Sequence, residues 1–165
     1  MKIKNVLIGL ILLGVVGGGC YLAYQRLVLP SQQCDICGRP VHAAHDSIVL
    51  LKNSSKVHTC CPRCALHYEQ NHPGQIAGLL VADRATGVKI DGQKALYVEG
   101  SDEQLCGPLT EAPPREPGVE FDRTFDRCLP SLAAFKEEAA ARSYQAVHGG
   151  RLLTYEQAVE SVKKQ

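Results

Sequence analysis

The pattern of apolar and polar positions changes abruptly near residue 30. Residues 6–24 carry no charge, with Lys2 and Lys4 before them and Arg26 after. Wound as a helix, these nineteen residues span about 28 Å, close to the hydrocarbon thickness of a bilayer. The pattern therefore predicts a transmembrane helix within residues 1–30. Beyond it the apolar runs are short. Two β-rich runs, 47–52 and 56–59, are separated by Asn53-Ser54-Ser55 and read as a hairpin. A helix is expected from Pro62, whose missing N–H costs nothing at a first helical position, and His72-Pro73-Gly74 stops it. Residues 77–83 give a third strand.

A similar order recurs from Ala95: a strand over 95–100, a Pro-rich loop over 107–120, a helix over 129–144, the turn "HGG", and a last helix. Thr154 with Gln157 three residues later marks the start of that helix as a capping box. Laid on each other, "VHTCCPRCALH" (57–67) and "FDRCLPSLAAF" (125–135) align without a gap, Cys60 with Cys128, Pro62 with Pro130 and Ala65 with Ala133. The expectation is an α+β fold: an N-terminal transmembrane helix over 1–30, then two small related ββαβ units over 31–90 and 91–165.

Charge adds an orientation. Three of the 18 Lys and Arg residues lie in the first thirty positions and all 17 Asp and Glu lie beyond them, so the body is faintly acidic. Two cations before the apolar run and one after favour a cytoplasmic N-terminus, an inner-membrane anchor and a body facing the periplasm or cell exterior. Cleavage of the segment, or a lipoprotein at Cys20 after "GGG", are the alternatives. No basic patch recruits nucleic acid. Paired catalytic carboxylates, a Ser-His-Asp order and a phosphate-binding glycine loop are missing, so neither an enzyme nor a small-molecule binder is expected.

Of the eight cysteines, seven lie outside the membrane segment. Cys34-x2-Cys37 and Cys61-x2-Cys64 form a four-thiolate pattern of the kind that binds zinc tetrahedrally. A knuckle would give the first pair, a hairpin would return the chain, and the first turn of a helix would give the second pair, a treble-clef-like arrangement. Helix N-terminal amides also favour the thiolate that a metal needs. The competing readings are disulfides, usual for exported cysteines, and a thiol-disulfide oxidoreductase built on "CPRC". The redox reading lacks a preceding strand-helix unit and a flanking Trp, and it leaves "CDIC" unexplained.

Cys60 reads first as a small buried residue, and under metal delivery it joins Cys106, Cys128, His58 and His148 as a candidate ligand for the transferable ion, beside a structural four-cysteine site. Cys106 and Cys128 are open between a disulfide, a soft two-thiolate metal site and core packing. Among the histidines, His58 and His148 are the foremost candidate ligands, although a His near cysteines more often hydrogen-bonds beside a site than ligates in it.

Four segments carry a family resemblance: "CDICG", the hairpin leading to "CCPRC", the strand "ALYVEGSD", and "HGGRLLTYEQA". Over roughly residues 34–160 the body resembles the NosL family, anchored accessory proteins of nitrous oxide reductase assembly regarded as copper chaperones. The resemblance implies two related ββαβ units and a copper(I) cargo passed to a partner metalloprotein. Two positions depart from the family: Arg39 stands where Met usually follows CxxCG, and Cys106 is nearest where Met usually precedes Gly-Pro. Met1 is the only methionine, so a copper(I) site here needs cysteine and histidine. The reading is a membrane-anchored metal-binding accessory protein holding zinc or copper(I). A zinc-stabilised module that docks a partner and moves no metal is the alternative.

Overall fold

The computed structural model describes residues 32–106 and 126–163, with Gly18 alone before them. The expected membrane helix and the Pro-rich segment 107–120 lie outside the described residues. No described helix is long and apolar enough to cross a membrane.

The body is mixed α and β with two small antiparallel sheets. Strand β1 (Ser47–Leu51) turns into β2 (Lys56–Thr59). Asn53 sets that turn by accepting from the backbone N–H of Ser55 at 3.0 Å, the side-chain mimicry of a turn that Asn provides. Helix α1 (Pro62–Asn71) follows after two residues, with Pro62 in its first turn and no side-chain cap on Cys61. Strands β3 (Ile76–Ala82) and β4 (Lys89–Asp91) complete the first sheet, ordered β2-β1-β3-β4.

The second sheet holds β5 (Leu96–Glu99), β6 (Leu132–Phe135) and β7 (Arg151–Leu153), ordered β6-β5-β7. Helix α2 (Glu138–His148) connects β6 to β7, and α3 (Tyr155–Lys163) closes the chain. At its start Thr154 donates its N–H to the Gln157 side chain at 2.9 Å and accepts from Gln157 N–H at 3.4 Å, the reciprocal capping box.

The path strand, strand, helix, strand is thus traced twice, with the first strand central each time. In both copies two residues separate the second strand from the helix: Cys60 and Cys61, then Lys136 and Glu137. The fourth residue of each helix, Ala65 and Ala141, is fully buried. This registry corrects the expected alignment of Cys60 with Cys128 and the expected helix over 129–144. Residues 132–135 are a strand, and the helix begins at Glu138. Leu132 and Ala134 join the main core while Ala133 and Phe135 join a second one. A strand buried on both faces shows no alternation, and its alanines read as helix formers.

The main core draws Val49, Leu66, Leu79 and Val81 from the first copy and Tyr97, Leu132, Leu153 and Val162 from the second. A parallel bridge between Asp83 and Ala134, with Arg84 N–H donating to Ala134 C=O at 2.8 Å, joins the sheets. Gly150 permits the tight return into β7: its φ is +91°, and a Cβ there would lie 2.6 Å from the Glu99 carbonyl oxygen. No other residue type meets both conditions without a shift of the backbone.

Candidate metal centre

All seven described cysteines are free thiols, and all seven meet in one buried cluster. Their exposure runs from 0% at Cys64 to 7% at Cys106. Three parts of the chain deliver them.

The first is a knuckle. Gly38, at φ +72°, reverses the chain after Cys37, so that Cys34 N–H reaches Arg39 C=O at 2.8 Å and Gly38 N–H reaches Cys34 C=O at 2.9 Å. The knuckle is fixed to β2 by a reciprocal pair: Asp35 N–H donates to His58 C=O at 2.9 Å, and His58 N–H donates to the Asp35 carboxylate at 2.8 Å. The second part is the end of β2 and the start of α1, which supply Cys60, Cys61 and Cys64. Cys106 after β5 and Cys128 before β6 come from the second copy. Asp126 shapes the turn at Cys128 by accepting its N–H at 2.9 Å.

The sulfur atoms are spaced as ligands of a common ion would be. Four sulfurs bonded to one ion at about 2.3 Å lie about 3.8 Å apart along the tetrahedron's edges. Here Cys37 and Cys60 are 3.4 Å apart, Cys60 and Cys64 3.8 Å, Cys60 and Cys128 3.6 Å, and Cys60 and Cys106 3.6 Å. Cys106 and Cys128 are both free, so no disulfide joins them. Two sets have all four sulfurs within 4.8 Å of one another: Cys34, Cys37, Cys60 and Cys64, and Cys60, Cys61, Cys106 and Cys128. The donor chemistry, cysteine sulfur throughout, fits a thiophilic ion such as zinc or copper(I).

The grouping differs from the one that motif spacing suggests. Cys60 occupies the position beside Cys34, Cys37 and Cys64 that spacing gives to Cys61, and Cys61 stands with Cys106 and Cys128. Neither His58 nor His148 belongs to either set among the described residues. His148 Nδ1 instead meets Asp102 at 3.0 Å on the exposed side of α2.

Thiol acidity is divided within the cluster. Contacts with Cys106, Cys37 and Cys60 hold Cys128 well below the ordinary thiol range. Cys37 is lowered too: the Cys128 contact raises it, and those with Cys34, Cys60 and Cys64 more than offset this. Cys61 is lowered by Cys106 and Cys128. Cys60, Cys64 and Cys106 are pushed up, Cys60 first by Cys106 and the other two first by Cys128. Protonated thiols thus stabilise thiolates beside them, and thiolates are what a metal displaces protons to bind.

Two cations border this negative charge, Arg39 and Arg127, and a third, Arg63, lies between Cys61 and Cys64 in the chain. Arg39, 4% exposed, makes a two-pronged bond to Asp126 at 2.8 and 2.7 Å. Asp126 raises its pKa, burial opposes that, and the charge of Cys128 adds to the rise. Arg127 donates to the Ile36 carbonyl at 3.3 Å within the knuckle. Arg63, fully buried beside Cys64, pairs with Glu99 at 3.0 Å. The available signal was that Arg39 directly follows the first cysteine motif and Arg63 lies inside the second.

The fold and its buried sulfur cluster define a class: a small two-sheet α+β protein with cysteines grouped so that they could hold a metal ion. The structure of the copper chaperone NosL from Shewanella denitrificans superposes on 76% of this chain and 88% of its own, with a TM-score of 0.57 and 15% sequence identity. The fold is therefore NosL-like. No family model matches the sequence, and no curated protein matches it either.

Proposed function

We propose that this protein is a membrane-anchored, extracytoplasmic accessory protein that holds a thiophilic metal ion and delivers it, as copper(I), to a partner metalloprotein. The observation that carries the metal-holding part is the convergence of seven free thiols from both copies of the fold in one buried cluster. Soft thiolates suit copper(I), and the NosL protein of like fold is named a copper chaperone. The apolar run over residues 6–24 supplies the anchor, and its flanking cations supply the orientation. Thiol exchange is disfavoured because Cys61 and Cys64 are 1% and 0% exposed and offer no sulfur to a substrate disulfide.

A second reading has its own support. The set Cys34, Cys37, Cys60 and Cys64 is nowhere more than 5% exposed, and a closed four-thiolate site holds its ion because loss costs folding. That favours a zinc-stabilised module that docks a partner. A native mass spectrum of the full chain, exported and purified without reductant or chelator, separates the two. A copper adduct removed by a copper(I) chelator supports delivery, whereas retained zinc supports the docking module. A metal-free mass, lower by two protons for each cysteine pair, overturns both.

A further inference from the structure

We infer that the cluster is a binuclear centre in which the Cys60 thiolate bridges two metal ions, one in the set Cys34, Cys37, Cys60 and Cys64 and the other in the set Cys60, Cys61, Cys106 and Cys128. The inference rests on the metal-holding part of the reading above and not on delivery or on copper. Its starting point is ligand arithmetic. Two tetrahedra of four sulfurs that share one vertex need seven ligands, and seven cysteines lie among the described residues, with Cys60 alone common to both sets.

The distances place Cys60 at that vertex. Its sulfur contacts Cys37 and Cys64 on one side, at 3.4 and 3.8 Å, and Cys61, Cys106 and Cys128 on the other, at 3.9, 3.6 and 3.6 Å. Cys128 further approaches Cys37 at 3.9 Å and Cys64 at 3.6 Å, as sulfurs of two corner-sharing tetrahedra do when their ions lie close. A single ion held by Cys37, Cys60, Cys64 and Cys128 is the competing geometry, and it would leave Cys34, Cys61 and Cys106 as buried thiols without a ligand's role.

Chemistry selects the ion. Seven thiolates around two divalent ions leave a net charge of −3, by formal count, and two monovalent ions would leave −5, the costlier charge to bury, because Arg39 and Arg63 are already paired with Asp126 and Glu99. Four-coordinate sulfur sites also suit a closed-shell divalent ion with no geometric preference of its own, which zinc is. The two centres differ in reach: the first is built wholly within the first copy of the fold, and the second binds the copies to each other through Cys106 and Cys128.

Cadmium-113 is the probe, because it replaces zinc at thiolate sites and reports its neighbours by magnetic resonance. The full chain, reduced and loaded with the isotope, is expected to take up two ions and to show two resonances, each split by coupling to the other through the shared sulfur. In Cys61→Ser one resonance should remain, unsplit. In Cys60→Ser no splitting should survive. Saturation at one ion with one resonance, or two resonances without splitting, overturns the bridge while leaving metal binding intact. No uptake of cadmium by the reduced protein overturns the metal-holding reading itself.

Discussion

Arg63 and Glu99 form an ion pair at 3.0 Å with side chains 0% and 4% exposed, one beside Cys64 at the start of α1 and the other at the end of β5. The Glu99 carboxylate also accepts from Arg151 at 2.6 Å and from the Ser161 hydroxyl. A single carboxylate thus links four elements, and it anchors the cysteine-bearing helix to the second sheet. Its bonds are charge-assisted, and the one to Arg63 is buried on both sides, a setting in which the loss of one partner strands the other.

Replacing that carboxylate should therefore cost far more than a surface ion pair. Glu99→Gln leaves Arg63 buried beside a neutral amide and is expected to destabilise the fold by about 3 kcal/mol or more. Urea denaturation at neutral pH measures it, and a loss below about 1 kcal/mol would assign the anchoring to apolar packing instead.

The same group predicts a pH dependence with a definite sign. Burial raises the Glu99 pKa, but the bonds from Ser161, Arg63 and Arg151 outweigh it, and the net value lies below the ordinary 4.5. A carboxylate with a lowered folded pKa contributes fully above its unfolded pKa, and the contribution is lost as pH falls through the folded value. The stability gap between the native protein and Glu99→Gln should accordingly shrink below about pH 4.5. Paired urea titrations at pH 7 and in acid test this, and a gap that stays constant removes Glu99 from the acid response.

How far the sequence discloses all this depends on where each element is buried. The hairpin of β1 and β2, helix α1 with its proline, and the capping box at Thr154 are local features, and local chemistry states them. Strand β6 is not local in that sense. It exists because Leu132 and Ala134 face one core while Ala133 and Phe135 face another, a fact of tertiary packing that leaves no period of two to read. The gathering of Cys34, Cys37, Cys61 and Cys64 was legible, and the way all seven described cysteines divide between two sulfur sets was not. Motif spacing pairs Cys61 with Cys64, whereas those two enter different sulfur sets and Cys60, at the point where a strand becomes a helix, belongs to both. Likewise Cys106 and Cys128, 22 positions apart in sequence, meet Cys60 only through the packing of the two copies.

Gly150→Ala tests the return into β7. An added Cβ meets the Glu99 carbonyl oxygen at 2.6 Å with φ at +91°, so both the contact and the dihedral oppose it. The expected loss exceeds about 1 kcal/mol, read by thermal unfolding. An equal replacement at Gly87, where φ is +73° but nothing lies within 4 Å of the new Cβ, should cost less, and the difference isolates the contact from the dihedral.

Asp126→Asn tests the support beneath Cys128. The carboxylate accepts from Cys128 N–H at 2.9 Å and holds the buried Arg39 guanidinium with two bonds. An amide offers one acceptor where two are used, so Arg39 loses a bond and the Cys128 turn loosens. Groups that orient ligands in this way typically alter metal affinity by about 10- to 100-fold. Chelator competition on the metal-loaded protein should show a loss of that order with all seven cysteines intact, and unchanged affinity would mean that Arg39 and Asp126 serve packing alone.

Metal removal should loosen one region and spare another. The knuckle over residues 34–39 is tied to the body by its backbone bonds to β2, by Arg39 and by the sulfur cluster, and Ile36 packs among the cysteines. The main core of Val49, Leu79, Val81, Tyr97, Leu132 and Val162 contains no cysteine, so its apolar burial persists without an ion. Stripping the metal under reducing conditions leaves several buried thiolates facing one another, and their repulsion falls on the knuckle, whose few backbone bonds are the weakest restraint near the cluster. Hydrogen exchange with and without chelator is expected to show large loss of protection in residues 34–39 and at the start of α1, with β1, β3 and β5 little changed. Uniform loss across both sheets would mean that the ion supports the whole fold, as in small domains whose metal supplies most of the folding energy. No change at all would show that the seven thiols hold their places without an ion, and the cluster would then be packing.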